Sequence, residues 1–275
     1  MSVCAACTRE SLASVRMLKT GVRGKELARL TRPFLEVLSP TRCAGCERPG
    51  PLICPACLNR LVLIDPVTSC MRCGAPGGHI VCTECGNPTG TSVSSASVAA
   101  AESPLDRVLA TAIFEDPLPR IVRAYKDGGE RRLAPLIAQM LIDTAEHAEA
   151  EAPDRYGGIL AGADALVFVP ATARAYRRRG FDHMEGIVRE LGKLASVSVV
   201  DALVKHGSSD QRRLGRAGRQ VSSRGAYETV ERVEGMRLLL VDDVITTGAT
   251  LRSAARALAD AGAAHIDALA VARVC

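Results

Sequence analysis

The chain has 275 residues, 47% of them hydrophobic and 24% charged, with a net charge of +5 and no tryptophan. That is the composition of an ordinary soluble protein with a core of Ala, Val, Leu and Ile, arranged as one medium domain plus a small module or as two domains. The modest positive charge suits an anionic partner without requiring one, and no run of about 18 uncharged apolar residues exists, which excludes a transmembrane helix.

Residues 1–40 carry scattered Arg and Lys but no long apolar stretch of the kind that drives secretion. They read as a poorly ordered extension, with Met17 as an alternative start, on a chain expected in the cytoplasm without membrane insertion. Cys4 and Cys7 form a C-x-x-C with no partner pair nearby and read as chance or an opportunistic metal site, and Cys275 is terminal and uninformative.

Residues 41–87 are dense in cysteine. Cys43 and Cys46, Cys54 and Cys57, Cys70 and Cys73, and Cys82 and Cys85 form four C-x-x-C pairs. Each such turn aims two thiolates at one point, and two turns complete the tetrahedral sulfur shell that Zn²⁺ accepts. Gly74 and Gly86 follow their pairs directly, where a tight metal knuckle benefits from an unhindered residue. Two structural zinc sites are therefore expected, because eight cysteine ligands leave no open coordination position for catalysis. Iron–sulfur ligation and a disulfide scaffold are the competing readings, and the second needs an oxidising compartment that nothing here indicates. Sequential pairing of the turns is the simplest arrangement, with a crossed one open. So short a module has few apolar residues of its own, so metal ligation would supply most of its stability.

Residues 88–104 are small, polar and proline-flanked and read as a linker, with room for one short edge strand. From residue 105 to 275 the pattern alternates. Strands are predicted over 108–115, 165–171, 237–243 and 265–274, and helices over 118–129, 133–152, 186–195 and 251–262. Strands that are continuous apolar runs, separated by helices, indicate an α/β domain whose parallel sheet is flanked by helices on both faces.

Ligands of such sheets lie beyond the carboxyl ends of the strands. The third strand ends there in Asp242 and Asp243, and Thr246, Thr247, Gly248, Ala249 and Thr250 lead into the next helix. Backbone N–H groups at a helix start attract an anion, threonine hydroxyls add donors, and Gly248 admits close approach of the main chain. Adjacent carboxylates can accept from vicinal hydroxyls. Together these residues describe a pocket for a sugar phosphate, with its diol on Asp242 and Asp243 and its phosphate on residues 246–250. A strand end and a helix cap with no ligand is the plainer alternative.

Two basic segments stand near this pocket in the chain. Arg174, Arg177, Arg178 and Arg179 follow the second strand, in a segment read as a loop able to reach the same edge of the sheet. Residues 205–225 hold Lys205, Arg212, Arg213, Arg216, Arg219 and Arg224 against one acid, Asp210. Small polar spacers make this stretch a loop that can close over a ligand, follow the phosphates of a single strand, or simply be solvated. Its lack of aromatic residues other than Tyr227 at the edge favours backbone contacts over base recognition. Lys126, at a helix end, is a further phosphate or nucleic-acid contact, or else a surface lysine. His183 stands out as an acid or base only through its proximity to the arginines.

LLLVDDVITTGAT resembles the phosphoribosyl-pyrophosphate (PRPP) signature of the type I phosphoribosyltransferases. The order of four C-x-x-C pairs, linker, VFVPATARAYRRRGFDH, DQRRLGRAGR and that signature is similar to the ComF family of competence-related proteins, from about residue 43 to the C-terminus. The resemblance implies a type I phosphoribosyltransferase-like domain behind a double zinc ribbon. It also implies PRPP bound with Mg²⁺ at Asp242, Asp243 and residues 246–250, and Arg178 and Arg179 at the pyrophosphate. The activity implied is phosphoribosyl transfer to a nitrogen acceptor, with Asp242 and Asp243 as catalytic residues. Partners implied are PRPP, single-stranded DNA and proteins of the DNA-uptake machinery. Two further readings are a non-catalytic single-stranded DNA-binding protein with PRPP as regulatory ligand, and a PRPP-sensing regulator. The chain departs from the family in two places. Asp182 and His183 stand where Asn and Gln are common after R-G-F, and Ser222 stands where Asn is common after the arginine matched by Arg219.

Overall fold

The structure, a computed structural model, describes residues 40–77, 82, 85, 103–206 and 226–275. The N-terminal extension, most of the linker, and Arg212, Arg213, Arg216, Arg219, Ser222 and Arg224 lie outside the described residues. After a single helical turn in the cysteine segment (α1, Pro55–Leu58), the order is β1 (Arg107–Ile113), α2 (Leu118–Lys126), α3 (Ala134–Glu151), α4 (Pro153–Tyr156), β2 (Ala165–Phe168), α5 (Ala173–Arg179), α6 (His183–Ala195), β3 (Ser198–Val199), β4 (Leu203–Lys205), β5 (Tyr227–Thr229), β6 (Arg237–Ile245), α7 (Ala249–Asp260) and β7 (His265–Arg273).

Five strands form one parallel sheet in the order β1-β7-β6-β2-β3, while β4 and β5 pair antiparallel in a two-stranded sheet. The apolar runs of the sequence are buried on both faces, as parallel strands require. Alternation along the strands divides the core. Leu239 and Val241 of β6 join Leu166 and Phe168 of β2 beneath α3 and α6, against Leu141, Ile187 and Leu191. Leu238 and Leu240 join Ala165 and Val167 on the other face, against Leu251, Ala254 and Leu258 of α7. The crossover from β2 to β3 thus runs over one face and that from β6 to β7 over the other, in opposite directions along the sheet. The topology therefore switches between β2 and β6, which is where ligands enter open sheets of this kind.

The length of β6 corrects one expectation. It does not stop at Asp243 but continues to Ile245, because the nine-residue β7 keeps offering partners, with Val244 opposite Ala272 and Ile245 opposite Arg273. On its other side β2 ends at Phe168, opposite Val241. Residues 242–245 therefore belong to a strand paired on one side only, and its open side faces the crevice.

The cysteine segment is built into this sheet. Between its two halves, residues 62–64 run antiparallel to β1, with Ile64 N donating to Thr111 O at 3.0 Å and Ile113 N to Val62 O at 2.8 Å. The edge strand β1 is thereby covered, which removes an exposed template for pairing between chains. No helix among the described residues is long and apolar enough to cross a membrane.

Candidate functional site

Adjacent residues of a strand point to opposite faces, so the two acids divide the crevice between them. Asp243 continues the Leu239 and Val241 side and meets α2 and α6. Its Oδ2 accepts from Lys126 Nζ, and His183 Nε2 lies 3.0 Å from the same oxygen. Burial alone would raise the Asp243 carboxyl, but the hydrogen bond to His183 and the Lys126 charge outweigh it and hold the group well below the ordinary carboxylate range. Asp242 lies on the other face. Burial, reinforced by the neighbouring Asp243 charge, pushes its pKa up to about 7. Its Oδ1 accepts the Asp243 amide at 2.9 Å. Tyr227 of β5 stands on this side as well, and its hydroxyl is buried with no hydrogen-bond partner among the described residues.

Gly248 turns the chain from β6 into α7 with φ 72°, a left-handed conformation that favours glycine. Thr246, Thr247, Ala249 and Thr250 around it are exposed. Ala249 and Thr250 form the first turn of α7, where N–H groups have no intrahelical partner. The bend thus places exposed backbone within a few residues of two buried carboxylates, with Ala249 N donating to Thr247 Oγ1 at 3.4 Å.

The arginine segment corrects a second expectation: residues 173–179 form α5, a helix of seven residues. Thr172 caps its start by accepting from Ala175 N at 3.1 Å, and Gly180, with φ 73°, ends it. None of its residues is buried, so no apolar stripe marks it in the sequence. Arg178 and Arg179 both reach Asp127, at 3.0 and 3.1 Å. With Lys126, Gly128, Gly129 and Phe181 they line a cleft of about 400 Å³. Arg179 also lies 3.4 Å from His183 Nδ1. The predicted residues are thereby joined in one relay, from Arg179 through His183 to Asp243 and Lys126. Sequence reasoning placed Lys126 with the nucleic-acid or lid contacts and left His183 without a firm role; their ion pairing with Asp243 is tertiary and has no local signal.

Asp182 explains half of the R-G-F-D-H departure. It caps α6, accepting from Met184 N at 2.9 Å, and its other oxygen accepts from Ala171 N at 2.6 Å. One carboxylate fastens the end of the β2 loop to the helix that carries His183. Asp182→Ala should cost about 1–2 kcal/mol of stability, typical of a lost helix cap, as read from denaturant midpoints.

The cysteines form two groups, Cys43, Cys46, Cys54 and Cys57, and Cys70, Cys73, Cys82 and Cys85. Within each group all ligand atoms lie within 4.8 Å of one another, so the turns pair sequentially. The Sγ atoms of Cys46 and Cys54 are 3.7 Å apart, as are those of Cys73 and Cys82. A disulfide is excluded at that distance, whereas a tetrahedron with zinc–sulfur arms of about 2.3 Å has edges of about 3.8 Å. Both groups could hold such an ion.

Comparison with known proteins agrees with this geometry. Residues 177–274 match the family model of the phosphoribosyl transferase domain. Among curated proteins the chain is similar to the DNA utilization protein YhgH of Salmonella typhi, 25% identical over 236 residues that cover 83% of this chain and 95% of that protein. It is also similar to the DNA utilization protein YhgH of Escherichia coli K12, 25% identical over 240 residues, with coverage of 83% and 95%. These matches bear out the ComF resemblance drawn from the motifs, and the domain fold expected from them.

Proposed function

We propose that this chain, which carries a phosphoribosyl transferase domain, binds PRPP with Mg²⁺ at the crevice between β2 and β6 and transfers its phosphoribosyl group to a nitrogen acceptor, in a process that handles DNA. The observation that carries this reading is the exposed bend 246–250 standing beside the buried pair Asp242 and Asp243 where β2 has ended. In the reaction a carbon–nitrogen bond would form at the anomeric carbon as the carbon–oxygen bond to pyrophosphate breaks, with the acceptor's proton passing to solvent; Mg²⁺, when bound, would supply charge neutralisation for the pyrophosphate. Asp242 and Asp243 would hold the ribose hydroxyls, and residues 246–250 the 5′-phosphate. Arg178 and Arg179 would neutralise charge on the leaving group as it builds. The two cysteine groups would hold structural zinc, and their free thiols suit a reducing compartment such as the cytoplasm. A screen of nucleobases and amines for pyrophosphate release tests the reaction, and release with none of them, despite PRPP binding, would make the chain a sensor instead.

The raised Asp242 carboxyl gives the site a pH signature. Its carboxyl accepts from a ribose hydroxyl more strongly when ionised, so PRPP affinity should rise through about pH 7 and level off above it. Near one pH unit below that point the loss approaches about tenfold. PRPP titrates in the same range, so the quantity to compare is the slope of the wild type against that of Asp242→Asn. Equal slopes would show that Asp242 contributes no proton to binding.

The names of the relatives support a second reading, in which the basic stretch 205–225 binds single-stranded DNA. Affinity for an oligonucleotide would then fall steeply with salt. Replacing Arg212, Arg213 and Arg216 by alanine would flatten the logarithmic slope by about 2, at roughly 0.7 per phosphate contact. An unchanged slope would remove that stretch from any DNA contact.

A further inference from the structure

Arg273, the last residue of β7, is buried, and its guanidinium is spent on main-chain carbonyls. Nε donates to Cys73 O at 3.0 Å. NH1 donates to Thr246 O at 2.6 Å, to Ile245 O at 3.4 Å and to Val274 O. One side chain therefore ties the second cysteine group to the bend between β6 and α7. In a trans peptide the carbonyl and the following N–H point in opposite directions. Holding the carbonyls of Ile245 and Thr246 inward thus turns the amides of Thr246 and Thr247 outward, toward the anion.

Among the described residues no carboxylate pairs with Arg273, and a buried guanidinium needs a counter-charge. Four thiolates around one divalent ion would leave a net negative charge behind Cys73. Arg252 of α7 stands near Cys85 and Cys73 as well. Its guanidinium also lies against the bend: a Cβ built on Gly248 would meet Arg252 NH1 at 2.7 Å. Two cations thus stand between one cysteine group and the bend. The first group, by contrast, packs beside α2, where Arg120 NH1 donates to Gly45 O at 3.3 Å.

We propose that Arg273 is a positioning residue for the bend, and that it makes anion binding there depend on metal held by Cys70, Cys73, Cys82 and Cys85. The affinity arm of the test rests on the PRPP reading, and the exchange arm does not. Arg273→Met and Arg273→Lys are prepared with metal content measured, and PRPP–Mg²⁺ affinity is expected to fall about 10- to 100-fold, as for lost hydrogen bonds to a charged group. Cys82→Ser should weaken binding similarly, Cys46→Ser much less, and adding Cys82→Ser to Arg273→Met should change little more.

Amide exchange over the start of α7 from Arg252, whose N–H donates to Gly248 O at 3.0 Å across the bend, supplies the second readout on the full chain without ligand. Protection should drop in Cys82→Ser and in Arg273→Lys but not in Cys46→Ser. Wild-type protection and affinity retained in metal-loaded Arg273→Met, or equal protection in Cys82→Ser and the wild type, would overturn the inference. Should the Met variant not fold, Arg273→Lys and the two cysteine variants decide it by exchange. Wild type that fails to bind PRPP would count against the proposed function, and the exchange result would still stand or fall by itself.

Discussion

Stripping both cysteine groups of metal is expected to cost the protein about 5 kcal/mol or more, seen as a large fall in the denaturant midpoint when chelator is added. Structural zinc supplies about 10–16 kcal/mol of binding free energy in small zinc-finger peptides, and this segment has little else to draw on. Among the described residues, those of the apolar cluster around the second group are the cysteines themselves and Ala75. The first group shares more of the main core, through Cys43, Cys57, Ile53 and Leu61. Loss of metal should therefore loosen the second group first. Residues 62–64 lie between the two groups, so their hold on β1 weakens with either, and a freed β1 edge would invite association between chains. Elemental analysis should give two ions per chain before chelation. An unchanged midpoint after complete metal removal would mean that the cysteines pack without any ion.

Replacing the two acids one at a time should shift stability in opposite directions. Asp242 carries a pKa raised by burial and by Asp243, so its ionisation opposes folding. That penalty is absent below the unfolded carboxyl's ordinary value, grows as pH rises, and is complete above about 7. Asp242→Asn should therefore stabilise the ligand-free protein by about 1–3 kcal/mol above neutrality and make no difference in acid. Asp243 is held low, so its contribution is present above the ordinary carboxyl value and is lost as pH falls through its depressed folded value. Asp243→Asn also leaves Lys126 and His183 facing a neutral amide in a buried place. A loss of about 2–4 kcal/mol is expected, in the range for breaking a buried pair. Thermal denaturation across pH checks both signs, and a destabilised Asp242→Asn would contradict this assignment of the pair.

Much of this site was legible in the sequence because its parts are local. The strand-acid-acid-bend-helix order is contiguous, and C-x-x-C spacing states the metal chemistry within a few residues. Helix α3 is plain from the long Ala-rich stretch 133–152, against Ala134–Glu151 in the structure. Other parts failed for physical reasons. Helix α5 buries nothing and so carries no amphipathic signal, and the short β3, β4 and β5 rest on pairing with distant segments. Asp243 was read as the end of a strand, since nothing local says that β7 extends far enough to keep pairing. The contacts of the Lys126–Asp243–His183 cluster and the reach of Arg273 to Cys73 span 60 to 200 residues of chain. Contacts at such separations are set by topology and leave no pattern in a window.

Calorimetric titration with PRPP and Mg²⁺ of the wild type, Asp242→Asn/Asp243→Asn and a control altered at exposed Arg232 tests the central claim most directly. One site per chain is expected in the wild type and the control, with affinity lowered at least about 100-fold in the double variant, the loss of two hydrogen bonds to charged groups. Equal binding by all three proteins would place PRPP elsewhere, and no binding by the wild type would remove PRPP from the account altogether.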